Sequence, residues 1–339
     1  MKKKWIFLIT GFFAMLLLAG CGAKTQEDVL KDLQSKVEDL KGYKLTAKMT
    51  LTMGTEPQTY DVDVWYNKPD FYRVQLKNGG KQEQSQLILR NKDGVYVLTP
   101  ALKKSFKFQS DWPKNGSQPY LYESLVADLA NDKEAIMKDS KEHYVFETKT
   151  RYQYNKMMPI QEITFNKKDL SPISLKIMDQ DRNTMLAVEF SKMQFNAEFD
   201  NSSFDLDRNM TSAKIEIPVT SNNGDENFTV KIPAAEIPGT DLVGEKEVMT
   251  ANGSRYVLTY EGEKSFTLMQ EKVEVIETSS FASTTMNGDP VDLGFTIGAL
   301  TDHSLTWTYD GVEYMIASKD LTKEEMVMLA RSVQATEEK

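Results

Sequence analysis

Apolar and polar residues alternate along much of the first half of the chain, most strictly between residues 60 and 76. A period of two predicts β-strands with one buried face. A turn signal at residues 67–70 divides this stretch into two strands. The side chains predicted to share the buried face are Tyr60, Val62, Val64 and Tyr66 on the first strand and Tyr72, Val74 and Leu76 on the second.

Further short apolar runs follow up to residue 109, after a polar stretch at residues 78–86 that is predicted to be a loop. Turn signals separate these runs from one another. The pattern predicts about four or five strands joined as antiparallel hairpins, which indicates a large curved sheet or an open barrel.

Two segments of this region have a helical period instead. The first helix is predicted to begin at a capping pair, Thr25 and Asp28, and to end at Gly42, with a strand over residues 43–53 after it. The opposite face of this helix is not basic, which favours packing on the sheet over a membrane-surface role. A second helix is predicted to begin at Pro119, and the polar residues 131–141 are predicted to continue it as a frayed or second short helix.

The remaining strands of this part are predicted over residues 143–154, 160–166, 173–179, 185–190 and 193–199. Residues 21–207 are therefore predicted to form an α+β domain, an antiparallel sheet with helices against one face. Residues 208–226 are rich in Asn and Ser and are predicted to be a linker.

Residues 227–339 are predicted to form a smaller α+β domain at the carboxyl terminus. A capping box at Thr322 and Glu325 is predicted to begin its final helix. Its strands are predicted over residues 228–232, 255–260, 265–270, 273–276, 290–297, 304–309 and 312–318.

The first twenty residues have the pattern of a lipoprotein signal peptide. Three lysines at residues 2–4 precede an apolar run over residues 5–18, and the sequence Leu-Ala-Gly-Cys at residues 18–21 resembles a bacterial lipobox in every position. Cleavage before Cys21 would leave a thiol that carries diacylglycerol, and its acyl chains, such as palmitate, would anchor the protein at the extracytoplasmic face of the cell membrane. The alternative is an uncleaved amino-terminal anchor with an incidental cysteine.

Several of these stretches together resemble a known family. They are W-Y-N-K-P-D-F-Y-R-V at residues 65–74, N-K-D-G-V-Y-V-L-T-P-A-L-K-K at residues 91–104, S-Q-P-Y-L at residues 117–121 and M-Q-F-N-A-E-F-D-N-S-S-F at residues 193–204. In this order and spacing, residues 25–207 resemble the lipoprotein carriers and receptors of the LolA/LolB-like family. Within that fold, the chain is most similar to the sporulation-associated lipoprotein group of endospore-forming bacteria, of the YdcC type.

The resemblance implies a LolA-like open antiparallel β-barrel with covering helices, whose cavity binds acyl chains. The side chains that would contact such a ligand are Val62, Val64, Tyr66, Tyr72, Val74, Leu76, Tyr120, Leu121, Leu125 and Leu129. The alternative is that these residues form a filled core without a ligand. The many methionines of the chain suit either adaptable walls or core filling.

Two departures from the family separate this chain from its soluble carriers. Lys68 stands where the carriers have an arginine that holds the covering helix, and a lysine cannot make the same planar, forked contacts. A protein tethered through Cys21 also cannot shuttle between membranes. The chain therefore resembles more closely the receptor form, or the two-domain regulators of anti-sigma factors that use this fold as a sensor.

Composition excludes several other functions. The net charge of −9 becomes about −12 without the three lysines of the signal segment, which argues against nucleic-acid binding. One cysteine and two histidines offer little material for a metal site or a nucleophilic triad, and no phosphate-binding or hydrolase motif is present in the sequence. Acidic pairs such as Asp61 and Asp63 are predicted to serve solubility on a strand's outer face, and no cofactor is predicted.

The sequence thus predicts a membrane-anchored, non-enzymatic lipoprotein that binds an apolar or acyl ligand in envelope biogenesis, with sporulation or germination as the process that the group resemblance implies. The alternative is a regulatory or scaffold lipoprotein whose carboxyl-terminal domain binds a partner protein, such as an anti-sigma factor. The predicted partners are a lipid or acyl chain, the membrane through Cys21 and an envelope protein.

Overall fold

The structure is a computed structural model that describes residues 24–52, 57–78, 81–99, 104–108, 110–114, 116–152, 156–200, 202–215, 229–250, 253–272 and 283–333. These residues form two β-sheets and four helices. The helices are α1 (Gln26–Asp39), α2 (Tyr122–Asn131), α3 (Leu206–Ile215) and α4 (Lys323–Val333). Within these residues no helix is both long and apolar enough to cross a membrane.

The larger sheet contains twelve strands. They are β1 (Gly42–Leu51), β2 (Gln58–Asn67), β3 (Phe71–Asn78), β4 (Lys81–Asn91), β5 (Gly94–Thr99), β6 (Lys104–Phe108), β7 (Ile136–Asp139), β8 (His143–Lys149), β9 (Ile160–Asn166), β10 (Pro172–Met178), β11 (Thr184–Phe195) and β15 (Ser283–Thr285). Their spatial order is β15-β6-β5-β4-β3-β2-β1-β11-β10-β9-β8-β7, antiparallel throughout except for the parallel pair of β15 and β6. Because the described end strands β15 and β7 do not pair, this is an open sheet and not a closed barrel.

The smaller sheet contains the seven remaining described strands. They are β12 (Thr240–Thr250), β13 (Gly253–Gly262), β14 (Phe266–Lys272), β16 (Asp289–Asp292), β17 (Ile297–Leu300), β18 (Ser304–Tyr309) and β19 (Val312–Ala317). Their order is β12-β13-β14-β19-β18-β17-β16. Two sheets with a few helices against them give the α+β class that the sequence predicts.

The inner face of the larger sheet carries the core. The alternation predicted from the sequence is confirmed, because Val64 lies between Leu45 of β1 and Val74 of β3 with all three buried. Helix α1 buries Val29 and Leu33 against this core, and α2 buries a longer apolar stripe. Burial of side chains of this size is favourable by about 1.5–3 kcal/mol each.

The predicted capping pair of α1 is confirmed. The Asp28 backbone N–H donates to Thr25 Oγ1 (3.2 Å), and the Thr25 backbone N–H donates to Asp28 Oδ2 (3.1 Å). The predicted role of Gly42 is wrong, since α1 ends at Asp39 and Gly42 begins β1. A β-carbon at Gly42 would lie 2.7 Å from the carbonyl oxygen of Tyr66, so glycine is needed there for close strand packing.

Helix α3 covers part of the outer face of the same sheet. A second, smaller apolar cluster lies beneath it and joins β4 and β5 to the segment around α3: Leu87, Leu89, Tyr96, Leu98, Phe204 and Met210. The prediction of a linker that begins at residue 208 is therefore wrong for its first part, which is helical and buries Met210. Residues 216–228 lie outside the described part of the chain.

The two sheets share one apolar cluster, which continues from the inner face of the larger sheet into the smaller one. Polar contacts cross the same boundary. The hydroxyls of Tyr60 and Tyr309 are 3.0 Å apart, Asn78 Nδ2 donates to the Tyr309 hydroxyl (3.1 Å), and Gln86 Nε2 donates to the Thr308 carbonyl (2.9 Å). Strand β15 also comes from the carboxyl-terminal half of the chain and extends the larger sheet.

Several strands differ from their predictions because polar residues lie inside them. The loop predicted at residues 78–86 is largely the start of β4, where inward-facing Gln86 donates from Nε2 to the Thr308 carbonyl oxygen of the smaller sheet. The two strands predicted at residues 185–190 and 193–199 are the single strand β11, in which Ser191 is the extra residue of a bulge opposite Thr46 and Ala47. The helix predicted within residues 131–141 is wrong, because residues 136–139 form β7 along β8.

In the smaller sheet, the strand predicted at residues 228–232 is wrong. The Lys231 backbone bonds instead to the side chain of Gln270, which both donates and accepts there. The strand predicted at residues 290–297 is two strands, β16 and β17, and the strand predicted at residues 273–276 lies outside the described residues. Strands β12 and β15 were not predicted.

We expect that Tyr309→Phe will lower the free energy of unfolding by about 1–2 kcal/mol, because it removes a buried hydroxyl that both Tyr60 and Asn78 contact between the sheets. Urea unfolding followed by circular dichroism measures this. Tyr256→Phe is the matched control, since its hydroxyl bonds to Glu247 at the surface and its loss should change stability by less than about 0.5 kcal/mol. Equal effects of the two substitutions would show that the contact between the sheets contributes nothing.

Candidate functional site

All ten side chains predicted to line a cavity lie in one buried cluster. Six are on the inner faces of β2 and β3, and four belong to α2 and the residues before it. None is more than 9% exposed: Val62, Val64, Tyr66, Tyr72, Val74, Leu76, Tyr120, Leu121, Leu125 and Leu129. The structure thus brings together the sheet and the covering helix as predicted, and the role of these side chains in ligand binding stays a prediction.

Helix α2 is held over the sheet by Asp128, a buried residue of the helix itself. The carboxylate of Asp128 accepts hydrogen bonds from the Ser117 hydroxyl (2.8 Å) and from Gln161 Nε2 (2.7 Å), and it pairs with Arg151 Nε (2.6 Å). Burial raises the pKa of Asp128, and these three partners act in the opposite direction. One side chain thereby joins the helix to β9 and to the connecting segments around residues 117 and 151.

A second acidic side chain of α2 points toward the sheet. Glu123 is half-buried as a residue, but its carboxyl group is enclosed, and the Tyr43 hydroxyl donates to Glu123 Oε2 (2.8 Å). Oε1 has no hydrogen bond of normal geometry. Burial raises the pKa of Glu123 above its ordinary 4.5, and neighbouring tyrosine hydroxyls partly oppose this. Folding therefore shifts this carboxyl group toward its neutral form.

Tyrosines of three adjacent strands surround this carboxyl group. Burial raises the pKa of Tyr66 to about 12, and the charge on Glu123 adds to the effect. The same two causes raise the pKa of Tyr72. The Tyr43, Tyr66 and Tyr72 rings lie in sequence across β1, β2 and β3, with centroids 5.2 Å and 5.0 Å apart.

The ring contacts continue in both directions beneath α2. Trp112 lies edge-on to Tyr72 at 5.8 Å, and Tyr122 lies edge-on to Phe165 at 6.2 Å. The interior is thus lined by flat aromatic faces together with the aliphatic side chains of β2 and β3. Such a lining suits a chain-like apolar ligand between the rings, and it equally suits a filled aromatic core.

Tyr120 lies at the boundary with the smaller sheet. The buried carboxylate of Asp292 adds to burial in raising the pKa of both Tyr120 and Tyr152. Arg331 of α4 is also buried here and donates from Nη2 to the Asp292 carbonyl oxygen (2.8 Å). Tyr120, a predicted ligand contact, is therefore also one of the polar residues at the boundary between the two sheets.

Lys68 contacts α1 and not the covering helix. Its Nζ donates to the carbonyl oxygen of Glu38 (2.7 Å) in the last turn of α1. A cation at a helix carboxyl terminus is favourable for the exposed carbonyls and the helix dipole. Lys68 thus holds the end of α1.

The outer face of the larger sheet has a polar groove of about 820 Å³ next to α3. Arg73 is buried at its base, where Nε donates to Asn209 Oδ1 (2.8 Å), Nη1 to Asp63 (3.2 Å) and Nη2 to Gln75 (3.0 Å). Burial raises the pKa of Asp63 and Arg73 opposes it. Asp63 is therefore a structural ion-pair partner, while Asp61 is exposed as predicted.

The groove is lined by similar numbers of acidic and basic side chains, so it favours neither an anionic nor a cationic ligand. In the described part of the chain, no group of three His, Cys, Asp or Glu side chains is placed to hold a metal ion. The predicted lipidation site, Cys21, lies outside the described residues.

Sequence reasoning missed Glu123 and Asp128. A polar residue in an amphipathic helix is usually exposed, so neither was expected beneath α2. The available signal was their position: Asp128 lies between the apolar residues Leu125 and Leu129, on the stripe that faces the sheet.

Comparisons with known proteins place the chain among sporulation proteins. A family model described as "Sporulation protein YdcC-like" matches residues 1–204. The chain is 53% identical over 339 residues to the Sporulation protein YdcC of Bacillus subtilis (strain 168), and the match covers 100% of this chain and 99% of that protein.

Two solved structures show more distant similarity. The MucA/MucB complex of Pseudomonas aeruginosa matches at 10% identity with a TM-score of 0.34, over 88% of this chain and 96% of that chain. A LolA superfamily protein from Nitrosomonas europaea matches at 11% identity with a TM-score of 0.30, over 53% of this chain and 98% of that chain. At these TM-scores the similarity supports no conclusion about this chain.

We expect the free energy of unfolding of the Glu123→Gln variant to fall less steeply with rising pH than that of the unsubstituted chain. A carboxyl group whose pKa is raised by folding stabilises the folded chain below its ordinary pKa of 4.5, and this stability is lost as the pH rises through the higher folded pKa. The slope due to one such group is at most about 1.4 kcal/mol per pH unit. Thermal unfolding between pH 4.5 and 8 measures it.

Glu189→Gln serves as the control, because this glutamate is exposed on β11. The control should follow the unsubstituted chain at every pH. If Glu123→Gln instead steepens the loss, folding does not raise the pKa of Glu123, which contradicts the prediction.

Proposed function

The chain belongs to the family of YdcC-like sporulation proteins, and we propose that it is a membrane-anchored lipoprotein that binds an apolar, acyl-type ligand in the cell envelope. The family membership that the sequence motifs predict is confirmed by the matches of the family model and of the curated relative. The proposal concerns a binding protein without catalytic chemistry. Its role in sporulation is the part that the family itself supports.

One observation carries the ligand proposal: the ten side chains predicted for an acyl ligand all lie in one apolar interior, between the inner face of the larger sheet and α2. Aliphatic and aromatic side chains both line this interior, and both kinds of surface are compatible with a hydrocarbon chain. The enclosed carboxyl of Glu123 and its tyrosines add one polar position, where a ligand head with a hydrogen-bond donor would be accepted.

Helix α2 covers this site and is held at both ends. Near its amino terminus the Tyr43 hydroxyl donates to Glu123 Oε2 (2.8 Å) and accepts from the Tyr122 backbone N–H (3.3 Å). Asp128 holds its carboxyl-terminal half through three polar partners. A ligand would therefore lie beneath a helix that is fixed in place.

The proposed membrane anchor is a lipid attached to Cys21. The lipobox at residues 18–21 and the apolar segment before it support cleavage and lipidation at the extracytoplasmic face. Two or more acyl chains hold a protein in a bilayer stably, because each buried methylene contributes about 0.8 kcal/mol.

A second candidate function is the binding of a partner protein by the carboxyl-terminal sheet. The observation that favours it is the exposure of large apolar side chains on β12. The two functions are compatible in one molecule, since β12 lies outside the apolar interior of the larger sheet.

We expect that residues 22–339 will bind a fluorescent fatty acid and that Leu125→Trp will weaken this binding about tenfold or more. The indole would occupy space in the apolar interior that the hydrocarbon chain needs, and overpacking of this kind costs about 1–3 kcal/mol in stability. Probe titration, together with native mass spectrometry of the purified protein, measures it.

Ala130→Trp is the matched control, because it adds the same side chain on the exposed side of α2 and should leave probe binding unchanged. Circular dichroism shows whether each variant is folded. An unsubstituted protein that carries no lipid and takes up no probe would contradict the lipid-binding proposal and favour a filled core.

We expect that Cys21→Ser will abolish the incorporation of labelled palmitate when the full chain is expressed in a bacterium that processes lipoproteins. The thiol is the group that receives diacylglycerol, and a hydroxyl is not modified in its place. Gly22→Ala is the control and should be labelled like the unsubstituted chain. Label in the Cys21→Ser variant, or none in any variant, would contradict lipidation at this residue.

A further inference from the structure

Three of the four described sheet edges are short. Strand β15 has three residues, and β7 and β16 have four each. Strand β16 also contains Pro290, which cannot donate to a further strand. Short strands and proline are the usual protection of sheet edges against unwanted pairing.

The fourth edge, β12, is different. It has eleven residues and pairs on one side with β13, while no described strand pairs with its other side. A bulge near Leu242 interrupts its first part, but from Gly244 to Thr250 every residue is in continuous register with β13. The outer edge of this regular part is a template for one more strand.

Exposed apolar side chains are concentrated on this strand. Of the five large apolar residues that are exposed in the described chain, four belong to β12: Leu242, Val243, Val248 and Met249. Met249 is 75% exposed, the highest value among them. Exposed apolar side chains along an edge strand of this length are typical of an interaction surface.

The charges on β12 indicate the chemistry of its partner. The strand carries Asp241, Glu245 and Glu247 against the single cation Lys246. On β13, Arg255 does not offset them, because it is paired with Glu271 (Nη2 to Oε2, 2.5 Å). A second copy of this chain would bring two acidic strands together, which is unfavourable for cross-strand pairs.

The register places these charges on one face. Glu245 and Glu247 lie opposite Leu258 and Tyr256 of β13, so both acids point to the same side of the sheet, and Met249 follows them on that side. An added strand would therefore present lysine or arginine at every second position to this face, followed by an apolar residue near Met249.

We propose that β12 is the docking edge for an extended, basic segment of a partner protein, which adds a strand to the smaller sheet. Main-chain hydrogen bonds to the open edge would supply affinity, and the acidic and apolar side chains of residues 245–249 would supply specificity. This inference rests on the second candidate function and is independent of lipid binding.

The test uses the chain from Gly22 onward, which contains every described residue, and a labelled synthetic peptide of alternating lysine and valine with the length of β12. We expect this peptide to bind at least about tenfold more tightly than the same peptide with glutamate in place of lysine, because like charges on paired strands repel. Fluorescence anisotropy measures the affinities. A peptide with proline at its centre should not bind, since proline interrupts the strand.

Two variants locate the site. Glu245→Lys with Glu247→Lys should reverse the preference between the two peptides, and Val248→Lys with Met249→Lys should weaken binding of the lysine peptide about tenfold. All four side chains are exposed, so thermal unfolding should be unchanged. Amide hydrogen exchange should show new protection at residues 240–250 when the lysine peptide is bound.

The remaining outcomes overturn the proposal. Binding of neither peptide, equal binding of both, or protection elsewhere in the chain would show that β12 is not a basic docking edge. Protection, in the free protein, of the β12 amides that do not bond to β13 would show that this chain itself covers the edge. A dimer in sedimentation velocity that Val248→Lys with Met249→Lys abolishes would assign the edge to a second copy. Uptake of the acyl probe by the same preparation separates these failures from failure of the lipid-binding proposal.

Discussion

The structure depends on covering both faces of one wide sheet. Alternation along β1, β2 and β3 gives this sheet an apolar inner face too large for one ten-residue helix, so α1, α2 and the smaller sheet all pack over it in a single cluster. The outer face is covered over β4 and β5 by α3, where Arg73 joins the helix to the strands through Asn209. The carboxyl-terminal part of the chain thus contributes to the same apolar cluster.

The sequence predicted the parts of this arrangement that alternation controls. Strands β2 and β3, the capping boxes before α1 and α4, and the shared burial of the ten inner side chains all follow from local pattern. It failed where polar residues are buried by long-range partners. Gln86 lies inside a strand because Thr308 accepts from it, and Glu123 lies under α2 because Tyr43 donates to it. No local pattern indicates a partner that is distant in sequence.

Strand β12 was missed for the opposite reason, since its residues are mostly exposed and not buried. Neither alternation nor an apolar run therefore indicates a strand, and its existence depends on pairing with β13. Helix α3 shows the same problem from another direction, because its polar composition is typical of a linker while Met210 and Leu206 pack against β4 and β5. Composition describes the exposed side of such an element better than the element itself.

Strand β15 has a consequence for how the chain reaches this structure. Residues 283–285 complete the edge of a sheet whose neighbouring strand, β6, ends at residue 108. A chain that emerges amino terminus first therefore carries an incomplete sheet edge until most of its length has followed. A chain truncated before residue 283 would leave the edge of β6 open to pairing between molecules. The last third of the chain therefore protects the first third against aggregation, but only once it has been synthesised.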